Sequence, residues 1–258
     1  MLQGVKKALY IADVHYPFHD NKCFSIYKQI AEHWKPDYLI FLGDCINATG
    51  ISKFTLKDYE DGIYQTIEEI IDFKQYYFEP LVRACGNPEI RWILGNHDGR
   101  RFDQVLEKVK AKCCKDKFID YKDKLNLQKY FPKVRFTDYP DCDHIGKLYL
   151  THGEYHNEAH AKKHALVYGQ NVLYGHLHTD DRKTIPTKAK NKIHRAISMP
   201  CGMKLGVEYM KNRSSSWVQG YAFAYHYPDG YYDLETKTIL KGRTMFEGNL
   251  ITAEPQAK

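Results

Sequence analysis

Aspartates, histidines and one asparagine that can bind metal ions or move protons recur at the ends of apolar runs in this chain. The runs close in Asp13-Val14-His15, Gly43-Asp44, Gly95-Asn96-His97-Asp98-Gly99, Thr151-His152-Gly153 and Gly175-His176-Leu177-His178. One such cluster alone is as easily a solvated turn. Five of them, each behind a β-prone run, point to one shared site. Asp13 and His15 are spaced by two, so in extended backbone they face the same way and can chelate one ion. His176 and His178 share that spacing and face one ion or two adjacent ones. Nitrogen and oxygen donors without thiolate suit manganese, iron, zinc or cobalt better than an all-oxygen magnesium or calcium cage.

The elements that must position these groups follow from periodicity. Residues 7–12, 38–42, 90–94 and 171–174 are short apolar runs bounded by turn formers, as buried strands are. Asp20-Asn21 can cap a helix carrying Phe24, Ile26, Tyr27, Ile30 and Trp34. Strand, helix and strand in this order predict a parallel pair, with ligand groups at the carboxyl ends. Residues 49–57 are polar and predict a loop near the site. Residues 62–85 predict a long amphipathic helix, ended by Gly86-Asn87-Pro88. The lysine-rich stretch at about 101–131 predicts two inserted helices. Residues 134–136 and 144–150 are expected in a second sheet, and strands within about 182–245 are expected to complete it. Pro228-Asp229-Gly230 marks a hairpin turn. With no repeat, low-complexity stretch or linker, residues 1–258 read as a single domain.

Other groups have a structural and a functional reading. Asn47 can face a pocket or shape the turn after Asp44. Lys108, Lys110, Lys112, Lys115 and Lys117 can line a wall for an anionic substrate or form a solvated helix face. His156, His160 and His164 fall at spacings of four, one stripe on a helix that is expected at the surface. His33 is expected at the surface, and Cys45 to be structural. Seven cysteines without a C-x-x-C pair fit reduced thiols, mostly buried, in a cytoplasmic protein. No run approaches a membrane span and no secretory leader pattern stands at the start. A net charge of +6 and a pI near 8.7 suit a polyanionic partner without amounting to a nucleic-acid-binding signature. Aromatic content is 14%, with 21 tyrosines, enough to offer stacking surfaces.

Taken together and in order, the five blocks between residues 13 and 178 resemble the calcineurin-like metallophosphoesterase superfamily, and the segment 217–220 with a final hairpin is similar to its small phage and bacterial members. The resemblance implies an α/β fold, a four-layer α/β/β/α sandwich of two mixed β-sheets with the active site at the strand C-terminal ends. It implies two divalent metal ions, manganese first, with iron, zinc, cobalt or nickel compatible. Asp13, His15 and His178 would hold one ion, Asn96, His152 and His176 the other, and Asp44 would bridge them. His97 would be the substrate-facing histidine and Asp98 the acid that orients it. The block Gly43-Asp44-Cys45-Ile46-Asn47 lacks the further Asp, and the Arg for phosphate, that the family often carries there. Asn47 and Arg100 are then the substrate-binding candidates, with Arg101 an alternative. The expected activity is hydrolysis of a phosphoester by metal-activated water, with a phosphodiester of nucleotides or nucleic acid as substrate. The alternatives are a phosphomonoesterase and a nucleic-acid-binding protein that keeps the site without turnover. No membrane partner is expected, and the sequence leaves the oligomeric state open. The place of action would be the cytoplasm, that of the host if a phage encodes the chain.

Overall fold

Residues 4–52, 58–186, 193–206 and 216–254 are described by a computed structural model of the chain. The first half alternates strand and helix: β1 (Lys6–Ile11), α1 (Asn21–Trp34), β2 (Tyr38–Phe41), α2 (Tyr59–Asp72), a π-turn segment (Phe73–Phe78), α3 (Glu79–Cys85) and β3 (Glu89–Ile93). A second π-turn segment (Asn96–Arg100) leads into α4 (Arg101–Lys112), α5 (Lys115–Lys124) and α6 (Leu127–Tyr130). Then come β4 (Val134–Thr137), β5 (Asp143–Ile145), β6 (Leu148–Thr151), α7 (His160–Tyr168), β7 (Asn171–Tyr174), β8 (Arg182–Pro186) and β9 (Ile193–Ser198). The described residues close with β10 (Gly220–His226), β11 (Tyr232–Thr238), β12 (Arg243–Phe246) and β13 (Asn249–Thr252).

Two mixed sheets result, ordered β11-β10-β1-β2-β3-β4 and β5-β6-β7-β9-β8. Strand periodicity makes them face each other. Ala8, Tyr10, Ala12, Ile40, Leu42 and Ile93 point from the first sheet onto Leu148, Leu150, Leu173 and Ile197 of the second. Their neighbours Leu9, Ile11, Leu39, Phe41, Ile90 and Trp92 point the other way, into a core with Ile26, Tyr27, Ile63, Ile70 and Phe73 of the helical layer. On the outer face of the second sheet, Val172, Tyr174 and Ala196 pack against Ala165 of α7. Helix, sheet, sheet and helix are the four layers expected. Strands buried on both faces are why these runs read as continuously apolar rather than alternating. The largest fully buried side chain, Trp92, sits between Phe73, Phe131 and Phe136 with ring centroids 5.3–5.5 Å apart.

Asp20 caps α1 as expected, its carboxylate accepting from the backbone N–H of Lys22 and Cys23. Two strand placements differ from expectation. Residues 134–137 pair in parallel with β3, Ile90 opposite Val134, because the inserted helices form a crossover that returns to the same sheet. Residues 220–238 also join the first sheet, as the hairpin β10–β11 on the free edge of β1, while β8 and β9 alone extend the second. Tyr221 and Phe223 fill the helix-side core and Ala222 and Ala224 the inter-sheet core, a pattern that either sheet could have used. The insertion breaks into three helices rather than two, Asn126 capping the third. Of the polar segment 49–57, residues 53–57 lie outside the described residues, as do 187–192, 207–215 and 255–258 of the C-terminal part. Among the described residues no helix is long and apolar enough to cross a membrane.

Candidate metal centre

All five sequence blocks lie just beyond strand ends, where β1, β2, β3, β6 and β7 hand the chain to a loop. The backbone there is unusual. Asp13, His15, Asp44, His176 and His178 have φ of 52, 48, 50, 75 and 59°, in the left-handed region that non-glycine residues rarely adopt. Each such residue costs on the order of 1 kcal/mol or more and persists only where its surroundings over-determine it. Here the loops are laced together: Asp13 N–H donates to Gly43 O at 3.0 Å, His15 N–H to Asp44 O at 2.8 Å, and Gly202 N–H to Ala12 O and Asp13 O. Five strained ligand-type residues at one point mark a functional site.

Their donor atoms converge. His178 Nε2 lies 3.2 Å from both His15 Nε2 and Asp13 Oδ1. His152 Nε2 lies 3.2 Å from both Asp44 Oδ2 and Asn96 Oδ1. Ligands held 2.0–2.1 Å from a common ion sit roughly 3.0–3.4 Å apart, so these spacings fit metal coordination. Asp13, His15 and His178 form one group, and Asp44, His152 and His176 a second; Asp44 is also grouped with His15 and His97. The remaining ring nitrogens set the tautomers: His152 Nδ1–H donates to Leu42 O at 2.8 Å and His15 Nδ1–H to Asn47 Oδ1 at 3.2 Å, which leaves Nε2 facing the cluster. Glycine makes the space. A Cβ on Gly95 would stand 2.7 Å from Asp44 N, and one on Gly175 would stand 2.6 Å from Asp13 Oδ2.

The field of the site favours cations. Burial works against charge on every one of these groups, yet Asp13 stays ionised through His178, and Asp44 is held well below the usual carboxylate range by His152 and His97. The two carboxylates in turn push His178 up to about 10 and His152 up to about 9, against their burial. His15 and His176, buried and flanked by the other imidazoles, are pushed down to about 3 and 4, as neutral ligands should be.

His97 stands on the same rim. Its backbone N–H donates to Asp44 Oδ1 at 2.7 Å, its Nδ1–H donates to Asn47 O at 3.0 Å, and Arg101 donates to its Nε2 at 3.0 Å. Burial, with Arg101 next to it, lowers its pKa despite Asp44. Asp98 does not orient His97, contrary to expectation. Its carboxylate accepts from the N–H groups of Gly95 and Cys45 and from the Trp92 indole, so it clamps the turn that carries Asn96. Asn47 is likewise committed within the protein, its side chain to His15 and Thr49 and its carbonyl to His97 and Arg101. Arg100 is exposed and bonds Tyr139, whose ring lies 6.1 Å from that of His152. The arginine brought to His97 is Arg101, and a position four residues on across a π-turn gave no pattern to single it out.

The histidine stripe also differs from expectation. His156 is exposed and precedes α7, but His160 and His164 are buried behind the centre. Tyr174 donates to His160 Nδ1 at 2.7 Å, and His160 Nε2–H donates to Asp181 at 2.9 Å. Tyr174 and Asp181 bracket the loop that carries His176 and His178. His164 stacks on Tyr174 with centroids 3.9 Å apart and accepts from Glu154 N–H, just beyond His152. Helix α7 therefore holds both histidine loops from behind. Partners that support a metal ligand typically account for about 10–100-fold in metal affinity. Tyr174→Phe, which deletes one hydroxyl, and Asp181→Asn, at an exposed side chain, act through His160 rather than on a ligand and are each expected to weaken manganese binding by less than that factor. The melting temperature of the metal-free protein should barely move in Asp181→Asn and fall in Tyr174→Phe, which leaves a buried imidazole nitrogen without its donor at a cost of about 1–3 kcal/mol. Calorimetric titration reads both, and unchanged affinity in the two variants would reduce α7 to packing.

Comparison with known proteins bears on what this centre does. The family model for calcineurin-like phosphoesterases matches residues 6–187. The chain is 24% identical over 232 residues to the Gene 54 protein of Mycobacterium phage D29, across 84% of this chain and 87% of that one. It is also 24% identical over 242 residues to the Gene 54 protein of Mycobacterium phage L5, across 84% and 88%. Among solved structures it is similar to Vacuolar Protein Sorting 29 from Cryptosporidium parvum, with 13% identity, a TM-score of 0.47 and coverage of 99% and 100%. A dimetal phosphatase from Danio rerio gives 11% identity, a TM-score of 0.43 and coverage of 98% and 100%. The family match runs from the first strand past the last histidine block, well over half of the sequence, and on it the chain belongs to the calcineurin-like phosphoesterases, metal-dependent hydrolases of phosphoric esters.

Proposed function

We propose that this chain is a two-metal phosphodiesterase acting on nucleotides or nucleic acid. In this reading Asp13, His15 and His178 hold one ion, Asn96, His152 and His176 the other, and Asp44 lies between them. Manganese is the expected metal. Such ions, when bound, supply an acidified water and offset charge on the phosphate oxygens. The protein supplies the rest. Left-handed backbone and the Asp98 clamp fix the donors in place before substrate arrives. His97 presents Nε2 towards Asp44, 3.9 Å from Oδ2, where, once protonated and released by Arg101, it can donate to a leaving oxygen. Arg101, beside it, supplies the positive charge for phosphate that the block after Gly43 lacks, a role given above to Arg100.

The observation that favours a nucleotide is aromatic. Trp217, partly exposed, stands against His178 with ring centroids 4.3 Å apart and planes tilted by 59°, and Tyr139 stands edge-on to His152. Aromatic rings beside both histidine groups of a phosphoester site can stack bases. We also read the chain as one domain and, by likeness to the phage relatives, as acting in a host cytoplasm.

The deciding assay offers manganese-loaded protein a chromogenic monoester, a chromogenic diester and a labelled oligonucleotide. Turnover of the diester and the oligonucleotide is expected to exceed that of the monoester, and Trp217→Ala should raise KM for the oligonucleotide several-fold. Monoester turnover alone would make the protein a phosphatase. Oligonucleotide binding without any turnover would leave it a binding protein.

A further inference from the structure

We propose that the surface between the metal loops and the terminal hairpin β12–β13 binds the sugar–phosphate backbone of a polynucleotide, beside the scissile ester. The proposal rests on the diester reading and names its substrate as a strand rather than a free nucleotide.

What sets this surface apart is that four cations gather around one cavity. In the lysine-rich insertion three of eight lysines are paired, Lys117 with Glu60, Lys124 with Asp120 and Lys129 with Asp123. At the opposite edge of the first sheet, a cavity of about 450 Å³ is lined by Lys22, Lys204, Lys241 and Arg243, with Asp20 and Glu254. Among the described residues none of these four cations forms an ion pair or side-chain hydrogen bond. One oxygen of Asp20 is committed to the Lys22 and Cys23 N–H groups that it caps. A second cavity, about 840 Å³, lies on the other side of Lys241 and Arg243 and is walled by exposed Leu240, Met245 and Leu250. Clustered cations with apolar cover beside them suit a strand, whose phosphates alternate with sugars and bases.

The walls of both cavities are tied to the metal loops. Lys204 N–H donates to Phe18 O, Phe18 N–H to His15 O, and Gly202 N–H to Asp13 O. Asp20, at the first cavity, is five residues from His15, so their Cα atoms are at most about 18 Å apart. Asp180, at the second, is two residues beyond His178. A ligand that spans this surface and also reaches the centre must be an extended polyanion carrying the ester to be cut.

The test uses the manganese-loaded chain and a fluorescein-labelled, cleavage-resistant phosphorothioate 12-mer of single-stranded DNA, followed by anisotropy across a salt series. Wild type is expected to bind with a steep salt dependence. The triple variant Lys204→Ala, Lys241→Ala, Arg243→Ala should bind at least tenfold more weakly at low salt. Its slope of log affinity against log salt should be shallower by roughly 2, about 0.7 for each cation removed from a single-strand contact. The triple variant Lys117→Ala, Lys124→Ala, Lys129→Ala should match wild type, and a small chromogenic diester, too short to reach the cavities, checks that the centre is intact. No binding by wild type, or equal affinity and slope in the first variant, overturns the proposal. Salt-steep binding lost in that variant, but without hydrolysis of any diester, would keep the groove and reject the phosphodiesterase reading.

Discussion

Asp44→Asn should abolish turnover and most metal binding while leaving the fold intact. The substitution is nearly isosteric, and the backbone contacts of residue 44, including the bond from His15 N–H to its carbonyl, do not involve the carboxylate. What it removes is the charge that faces His152 Nε2 at 3.2 Å and His15 Nε2 at 3.8 Å. An amide there offers one neutral oxygen, and its NH₂ group must point at nitrogens arranged to accept a cation. The loss in turnover should therefore exceed the roughly 10–100-fold expected for a group that only supports a ligand. A second readout does not depend on substrate. Metal at 100 times its Kd stabilises the folded protein by about 2.7 kcal/mol, which for a chain of this size is roughly 5–10 °C in melting temperature. Wild type should show that rise with manganese, and Asp44→Asn little of it. Near-normal turnover in the variant would remove Asp44 from between the ions.

How much of this was legible beforehand depends on which physical signal each residue leaves. Asp13, His15, Asp44, Asn96, His152, His176 and His178 could be found because each stands at a break in apolar patterning, and strand ends of a parallel sheet gather on one side. The same patterning gave the two sheets, because runs buried on both faces carry no polar alternation. It could not say which sheet β10 joins, since Tyr221, Ala222, Phe223 and Ala224 suit any doubly buried position. It could not give the inward turn of His160 and His164, because a spacing of four names a common face without saying where the face points. The left-handed backbone at Asp13 and His178 was invisible for a different reason. Glycine advertises positive φ, whereas an aspartate or histidine forced there by its neighbours does not. The part played by Asp98 leaves no local signal, because its partners, Gly95, Cys45 and Trp92, come from three places in the chain.

His97→Ala is expected to cut kcat by about 10²–10⁴-fold, the usual worth of a positioned general acid, with metal content unchanged. The second half of that expectation carries the argument, because His97 is close enough to His15 and Asp44 to be a ligand on distance alone. Its two ring nitrogens are otherwise engaged. Nδ1–H is fixed on Asn47 O, and Nε2 receives a bond from the Arg101 guanidinium at 3.0 Å. Nε2, accepting from a cation, carries no proton here, so it must be protonated and released by Arg101 before it can donate to a leaving oxygen, and a metal ion at the same nitrogen would have to displace the guanidinium. The half-buried ring also leaves this nitrogen on the rim, where a leaving group departs, whereas His15, His152 and His178 are buried. Arg101→Ala should then raise KM more than it lowers kcat, since the guanidinium would contact phosphate without transferring a proton. Metal analysis by plasma emission alongside steady-state kinetics on the diester separates the roles. A fall in bound metal in His97→Ala, in step with its activity, would make His97 a ligand and pass the acid role to a bound water.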